Sequence, residues 1–352
     1  MDYKACRFME KGICFDQHSL VDCCIGLDCD RRGKPVIIDH YEGKVFDWNE
    51  IFEIKEKRNQ YVKTVGVPPV CEGCGYLTES YDFSGDRKFA EVIYQNVRTC
   101  NSRCIYCSDS YYSNLDSYDA LPATKDFIKK GFLEKNALIT FQGGEPTMMK
   151  NFNKIAELFL KQNAKIRVNS SGIIYHDSIY KGIKSGNLKL VVSIDSGTRE
   201  LYKKIKRVDK FDKLLKNLKK YSSVLKDFNN DCLTLKYIII PGVNDSVQDI
   251  DNWLNLTKNI GIKSIIIDSE CVYTTHSAVF PDYMYFLEDY VRYRSEQLGF
   301  SFDMNIFIIN ANNKRTSPVY DFNNFDLTEF SALIEDIKQK YKSQNLLYSF
   351  NI

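Results

Sequence analysis

The sequence contains no apolar run approaching the roughly 20 residues that a bilayer-spanning helix needs, so a helical membrane protein is excluded. It also lacks an excess of either charge. Its 48 Lys and Arg against 46 Asp and Glu leave a formal net charge of +2, which gives no global reason for a nucleic-acid or anionic-membrane partner. The 23 tyrosines and 22 phenylalanines show no alternation with basic residues of the kind that marks an RNA-binding strand. The opening, MDYKACRFMEKG, has no basic-then-apolar export signal, so a cytoplasmic location with reduced thiols is expected. No internal repeat or low-complexity linker is present. Histidine is scarce: His18, His40, His176 and His276 are scattered along the chain. A hydrophobic share of 44% and a charged share of 27% exclude disorder as the main state. A length of 352 residues suffices for one large domain with an appendage, or for two ordinary domains.

Cysteine is what the chain has in excess. Ten of its twelve cysteines lie in the first 107 residues, and reduced cysteines in clusters point to metal. From about residue 88 the pattern is regular. The stretch KFAEVIYQNV, then ALITFQ (137–142), KIRVNS, LKLVVSID (188–195), LTLKYIII (233–240) and KSIIID (263–268) read as six strands. Helical stretches intervene, at 123–135, at 151–163 and after Ser246, which with Asp249 begins a helix as a cap. Six such alternations predict parallel strands with helical crossovers, with chemistry at the C-terminal strand ends. The basic stretch 199–220 reads as an outer helix with an inward face of Leu201, Ile205, Phe211, Leu214, Leu215 and Leu218.

The decisive loop is Cys100-Asn-Ser-Arg-Cys104-Ile-Tyr-Cys107. Zinc there would require a fourth ligand, the nearest candidates being His176 and Cys74. Three thiolates suit a cubane iron–sulfur cluster with one iron left open. Zinc and unligated thiols are the alternatives.

CNSRCIYC resembles the CxxxCxΦC signature of the radical S-adenosylmethionine (radical SAM) enzymes, with Tyr106 as Φ, and Gly143-Gly144-Glu145-Pro146 resembles their GGEP motif after the second strand. The resemblance covers about residues 88–270. It implies a partial (β/α)6 TIM-like barrel and a [4Fe–4S] cluster on Cys100, Cys104 and Cys107. It further implies S-adenosylmethionine on the open iron, cleaved by one electron to a 5′-deoxyadenosyl radical that abstracts substrate hydrogen. A low-potential donor such as a flavodoxin or ferredoxin is then implied. By position, Tyr106 is expected beside the adenine and Gly143, Gly144, Glu145 and Pro146 at the methionyl amino group. Asn169, Ser193 and Asp195 are expected at the carboxylate and ribose, although such residues at strand ends also serve simply as turn formers.

CRFMEKGICFDQHSLVDCC followed by VCEGCGYL is similar to the split cysteine pattern of SPASM/Twitch auxiliary-cluster modules. That similarity implies an auxiliary [4Fe–4S] cluster on Cys6, Cys23 (or Cys24), Cys71 and Cys74. A zinc knuckle on the same four cysteines is the alternative. Cys14 and Cys29 read as spare thiols, and Cys232 and Cys271 as core residues. The fold expected is α/β: residues 1–84 a small cysteine-rich metal module, 85–280 the radical SAM partial barrel and 281–352 a C-terminal α/β extension of helix, strand and helix. The loop ECVYTTHSAVF supplies two candidate catalytic groups, Tyr273 and His276. The auxiliary-cluster resemblance implies a peptide or protein substrate, with a sugar or other small metabolite as the alternative. A non-catalytic iron–sulfur electron carrier and a zinc-stapled binding protein are the readings from other classes.

Overall fold

The computed structural model describes residues 4–16, 19–22, 36–38, 45–67, 71, 77–78, 83–107, 118–269 and 282–304. The chain divides into two compact units. The first comprises Met1–Asn101, Ser108–Ser170 and Ile174–Leu190; the second comprises Ser102–Cys107, Ser171–Ile173 and Val191–Ile352.

In the first unit the chain runs α1 (Arg7–Lys11), β1 (Gly12–Phe15), β2 (Leu20–Val21), β3 (Val36–Ile38) and α2 (Trp48–Thr64). Then follow β4 (Phe89–Tyr94), α3 (Leu121–Lys129), β5 (Leu133–Phe141), α4 (Phe152–Lys161), β6 (Lys165–Ser170) and α5 (Asp177–Ser185). Strand β4 lies between β1 and β5 and is parallel to both, with Phe15 and Phe141 both opposite Tyr94. Strand β6 continues the parallel series beside β5. Strands β1–β2 and β2–β3 pair antiparallel.

The sheet is held by aromatic packing. Phe15, Tyr94 and Phe141 stack ring on ring at 4.8 and 5.1 Å across three adjacent strands. On α2, buried Trp48 meets Phe89 and Phe127 edge-on and donates from Nε1 to Asp126 at 2.8 Å, which satisfies its polar atom. Each such ring contributes about 1.5–3 kcal/mol through burial alone. Cys14 is buried against Val21 and Ile93, a core position in which it packs as a small hydrophobe.

The second unit begins within β7 (Leu188–Ser193) and contains α6 (Arg199–Lys206), α7 (Phe211–Ser222), β8 (Leu233–Ile239), α8 (Val247–Ile260), β9 (Ser264–Ser269), α9 (Asp282–Leu298) and β10 (Ser301–Met304). Strands β8, β9 and β10 are parallel. Ser246 caps α8 as expected, its Oγ accepting from Asp249 N–H at 3.1 Å. Trp253 of α8 packs on Tyr237 at 4.9 Å, so Tyr237 faces the helix. The basic stretch is two helices where one was expected. Arg207 adopts a left-handed conformation (φ 53°) that ends α6, and Phe211 opens α7. Ile205, Phe211, Leu214 and Leu218 are buried as read, while Leu201 and Leu215 are half-buried. Cys232 is buried at the start of β8.

The fold is therefore mixed α/β with a mostly parallel sheet. Ile306, Ile308 and the expected last helix lie outside the described residues.

Candidate active site

In the first unit, β5 leads directly into the turn Gly143-Gly144-Glu145-Pro146. Gly143 has φ 106°, a conformation that side-chain-bearing residues rarely adopt. Gly144 serves a different need: a Cβ there would lie 2.6 Å from the Thr99 carbonyl oxygen. That proximity lets the Gly144 N–H donate to Val97 O and the Glu145 N–H to Thr99 O, both at 2.9 Å. The turn is thus tied to the segment that ends at Cys100.

Glu145 is almost fully buried. Its Oε1 accepts from Thr147 N–H at 3.1 Å, Thr147 Oγ1 at 2.6 Å and Ser170 Oγ at 2.7 Å, and it caps the 3₁₀ turn Pro146–Met148. Pro146, at the first position of that turn, has no N–H to leave unmade. Behind the turn, His176 is within 3.1 Å of Thr147 O through Nε2 and 3.0 Å of Asn153 Oδ1 through Nδ1. Burial pushes the His176 pKa down. The last two residues of β6 point to opposite faces. Ser170 reaches Glu145, whereas Asn169 is half-buried and accepts from Arg167 Nε at 3.2 Å.

In the second unit, the loop carrying Cys104 and Cys107 is clamped to the end of α6. Arg103 N–H donates to Lys206 O at 2.9 Å and Ile105 N–H to Ile205 O at 3.0 Å. Cys107 N–H donates to Cys104 O at 3.0 Å, so the two thiols stand at either end of one tight turn. Ile105 and Tyr106 pack on the buried trio Ile205, Ile238 and Ile240.

The polar centre of this unit is Asp195, fully buried just beyond β7 with φ 57°. Its Oδ1 accepts from Ile238 N–H at 2.8 Å, and its Oδ2 accepts from the Tyr106 hydroxyl at 2.7 Å. Lys206 donates to the same Oδ2 and, at 2.8 Å, to the Tyr106 oxygen. Asn244 locks the backbone by donating to Asp195 O at 3.0 Å while accepting from Ile240 N–H at 2.7 Å. Burial, with Asp195 beside it, drives the Tyr106 phenol well above its ordinary pKa, so it stays protonated. Ser193 is half-buried at the end of β7. Lys236 shares its strand face with Ile238 and Ile240 and pairs with Asp268 at 3.1 Å.

Cys100, Cys104, Cys107, Cys6 and Cys71 are each partly buried. Three thiols from one short loop are soft donors, the chemistry that suits an iron–sulfur cluster. Among the described residues, no three His, Cys, Asp or Glu side chains gather as they would around a single metal ion. Cys23, Cys24, Cys74, Tyr273 and His276 lie outside the described residues. Ser170, Thr147, Lys206 and Asn244 are the polar groups that the sequence reading did not single out.

Fold and motifs together define a class of cofactor-dependent radical enzyme domain. Residues 96–254 match the family described as Radical SAM superfamily. A GTP 3′,8-cyclase of Clostridium botulinum (strain Hall) is 27% identical over 177 residues, which are 48% of this chain and 53% of the cyclase. A Methanocaldococcus jannaschii protein, MJ0804, is 26% identical over 210 residues, 59% of this chain and 65% of that protein. The chain thus spans about half the length of the curated cyclases it matches. Among solved structures, Streptococcus suis SuiB bound to the precursor peptide SuiA superposes with a TM-score of 0.53 at 13% identity. That superposition covers 82% of this chain and 61% of SuiB, and it establishes likeness of fold. Among the described residues, no helix is long and apolar enough to cross a membrane.

Proposed function

We propose that this protein is a radical SAM enzyme that modifies a peptide or protein side chain, with its catalytic [4Fe–4S] cluster on Cys100, Cys104 and Cys107. The bound cluster and S-adenosylmethionine would supply one-electron reductive cleavage to a 5′-deoxyadenosyl radical, the agent of hydrogen abstraction. The observation that carries this reading is the pair of 2.9 Å bonds tying the GGEP turn to Val97 and Thr99, directly before Cys100.

The chain's own residues bind and orient. Gly143 to Pro146 offer a rigid turn for the methionyl amino group, anchored by Glu145. Tyr106, held by its hydroxyl, presents a fixed ring for the adenine. Asn169 and Ser193, both half-buried, would supply the expected carboxylate and ribose contacts. Asp195, by contrast, is fully buried and engaged by Ile238, Tyr106 and Lys206, and serves instead to hold Tyr106. An auxiliary cluster on Cys6, Cys23 (or Cys24), Cys71 and Cys74, within an N-terminal module of residues 1–84, would be closed by four thiolates. It would therefore relay an electron, while a flavodoxin or ferredoxin in the cytoplasm would supply the first.

A second reading, a nucleotide substrate, is favoured by the 27% identity to a GTP 3′,8-cyclase. The peptide reading rests on the auxiliary-type cysteine pattern. Both are tested on the anaerobically reconstituted, dithionite-reduced protein. A cluster EPR signal that shifts on adding S-adenosylmethionine supports the radical reading; an indifferent signal overturns it. Turnover of GTP would displace the peptide reading. Cys74→Ser is expected to spare uncoupled cleavage of S-adenosylmethionine while stopping product formation, and full turnover would remove the auxiliary cluster.

A further inference from the structure

We propose that Lys206 is a positioning residue for the cysteine loop: its buried ammonium, seated against the Tyr106 side chain, places a fixed positive charge at that loop and raises the reduction potential of a cluster held there. This rests on the reading of Cys100, Cys104 and Cys107 as cluster ligands.

Four observations converge on it. Lys206 is 3% exposed, and a lysine that deep requires a partner, which Asp195 provides. The ammonium also donates to the Tyr106 oxygen at 2.8 Å and lies 5.2 Å from the centroid of the same ring. Tyr106 sits between Cys104 and Cys107 in the chain, and its hydroxyl donates to the Asp195 carboxylate that pairs with Lys206. Finally, the Lys206 carbonyl accepts from Arg103 N–H, so backbone and side chain of one residue hold both flanks of Cys104. The ion pair with Asp195 holds the buried ammonium in its charged form.

Adding an electron to a thiolate-bound cluster makes it more negative, so a nearby fixed cation favours the reduced form. The negative charge of Asp195 opposes this. The two charges must therefore act with opposite sign.

The test is potentiometric titration of the reconstituted protein, monitored by EPR, with iron and sulfide content confirming equal loading. Lys206→Met is expected to disfavour reduction about tenfold, roughly 59 mV downward for a one-electron couple. Lys206→Arg should stay close to wild type, and Asp195→Asn should shift the potential upward. Where Lys206→Met alone does not fold because it strands the Asp195 charge, the comparison of Asp195→Asn with the double variant Lys206→Met/Asp195→Asn isolates the same cation. A loaded Lys206→Met protein with wild-type potential, or shifts of one sign in both single variants, overturns the proposal. A wild-type protein that takes up no cluster would instead overturn the underlying ligand assignment.

Discussion

Tyr106 and Asp195 stand 89 residues apart in the chain, yet the phenol of one donates to the carboxylate of the other at 2.7 Å in the interior of the second unit. The bond joins the loop between two cysteines to the end of β7. It also leaves the tyrosine ring with no rotational freedom, because Lys206 grips the same oxygen from the other side. Buried polar groups of this kind are stabilising only when every member is satisfied. Asp195 meets that condition through Ile238 N–H, Tyr106 and Lys206.

Glu145 is the corresponding centre of the first unit, and Glu145→Gln tests it. The substitution removes the negative charge from the group that accepts three bonds at Oε1 and so weakens all three. We expect a loss of about 1–3 kcal/mol in urea unfolding and weaker retention of S-adenosylmethionine by the loaded protein. Unchanged values of both would show that the three bonds carry no energy.

Gly144→Ala should be worse than its size suggests. The new methyl would meet the Thr99 carbonyl at 2.6 Å, and backbone on both sides cannot step aside like a flexible side chain. Overpacking of this kind costs about 1–3 kcal/mol. The turn would move away from the Cys100 segment, so deoxyadenosine formation should fall with stability. A variant matching wild type in both assays would refute the contact.

Gly197→Ala probes the second unit in the same way. Its Cβ would lie 2.1 Å from the Asn252 carbonyl carbon and 2.3 Å from Trp253 N. The expected outcome is a drop of several degrees in thermal midpoint, at roughly 2–4 °C per kcal/mol for a unit of this size. Iron loading of the surviving folded fraction should be normal.

Cys104→Ala removes one of three soft donors, and a two-thiolate loop should not retain a cubane. Visible absorption and iron content after reconstitution should collapse, and deoxyadenosine formation with them. Undiminished formation would remove the loop from the chemistry.

His176 gives a pH dependence whose sign follows from burial. The folded state favours neutral imidazole, whereas the unfolded chain takes up a proton near pH 6.5. The unfolded state therefore binds more protons just below that pH. The contribution of His176 to stability is present above about 6.5 and is lost as pH falls toward the depressed folded value. Urea unfolding at pH 7.5, 6.5 and 5.5 should show this decline, and His176→Gln should flatten it.

Much of this was legible in local pattern. The short runs ALITFQ, KIRVNS, LKLVVSID, LTLKYIII and KSIIID lie on β5 to β9. In β7 to β9 nearly every residue is buried and the strand reads as consecutive apolar residues, whereas β6 alternates exposed and buried ones. At Gly143 and Gly144 the turn imposes backbone requirements, a positive φ at the first and a close approach to Thr99 at the second. A turn of this kind leaves a strong local mark in the sequence. What a chain pairs with over long separations leaves no such mark. GICF became β1 only because β4 offered it an open parallel edge, and nothing within four residues announces a distant partner.

Parity and tertiary contact decided the rest. Asn169 and Ser170 are equally polar neighbours at a strand end, and the pleat alone determines which of them meets Glu145. Lys236 could not be assigned a face until Tyr237 was seen packed on Trp253. Lys206 was hidden among the ten basic residues of 199–220, where each reads as solvated surface. The left-handed turn at Arg207, closing α6 beneath the cysteine loop, buried that one lysine and left its neighbours in water. By itself, then, the sequence determined the ligand chemistry and the order of strands, because both are written in residue type and short-range spacing. Which charges are buried together, and hence which residues tune that chemistry, was decided by tertiary structure, because desolvation is a property of the packed neighbourhood.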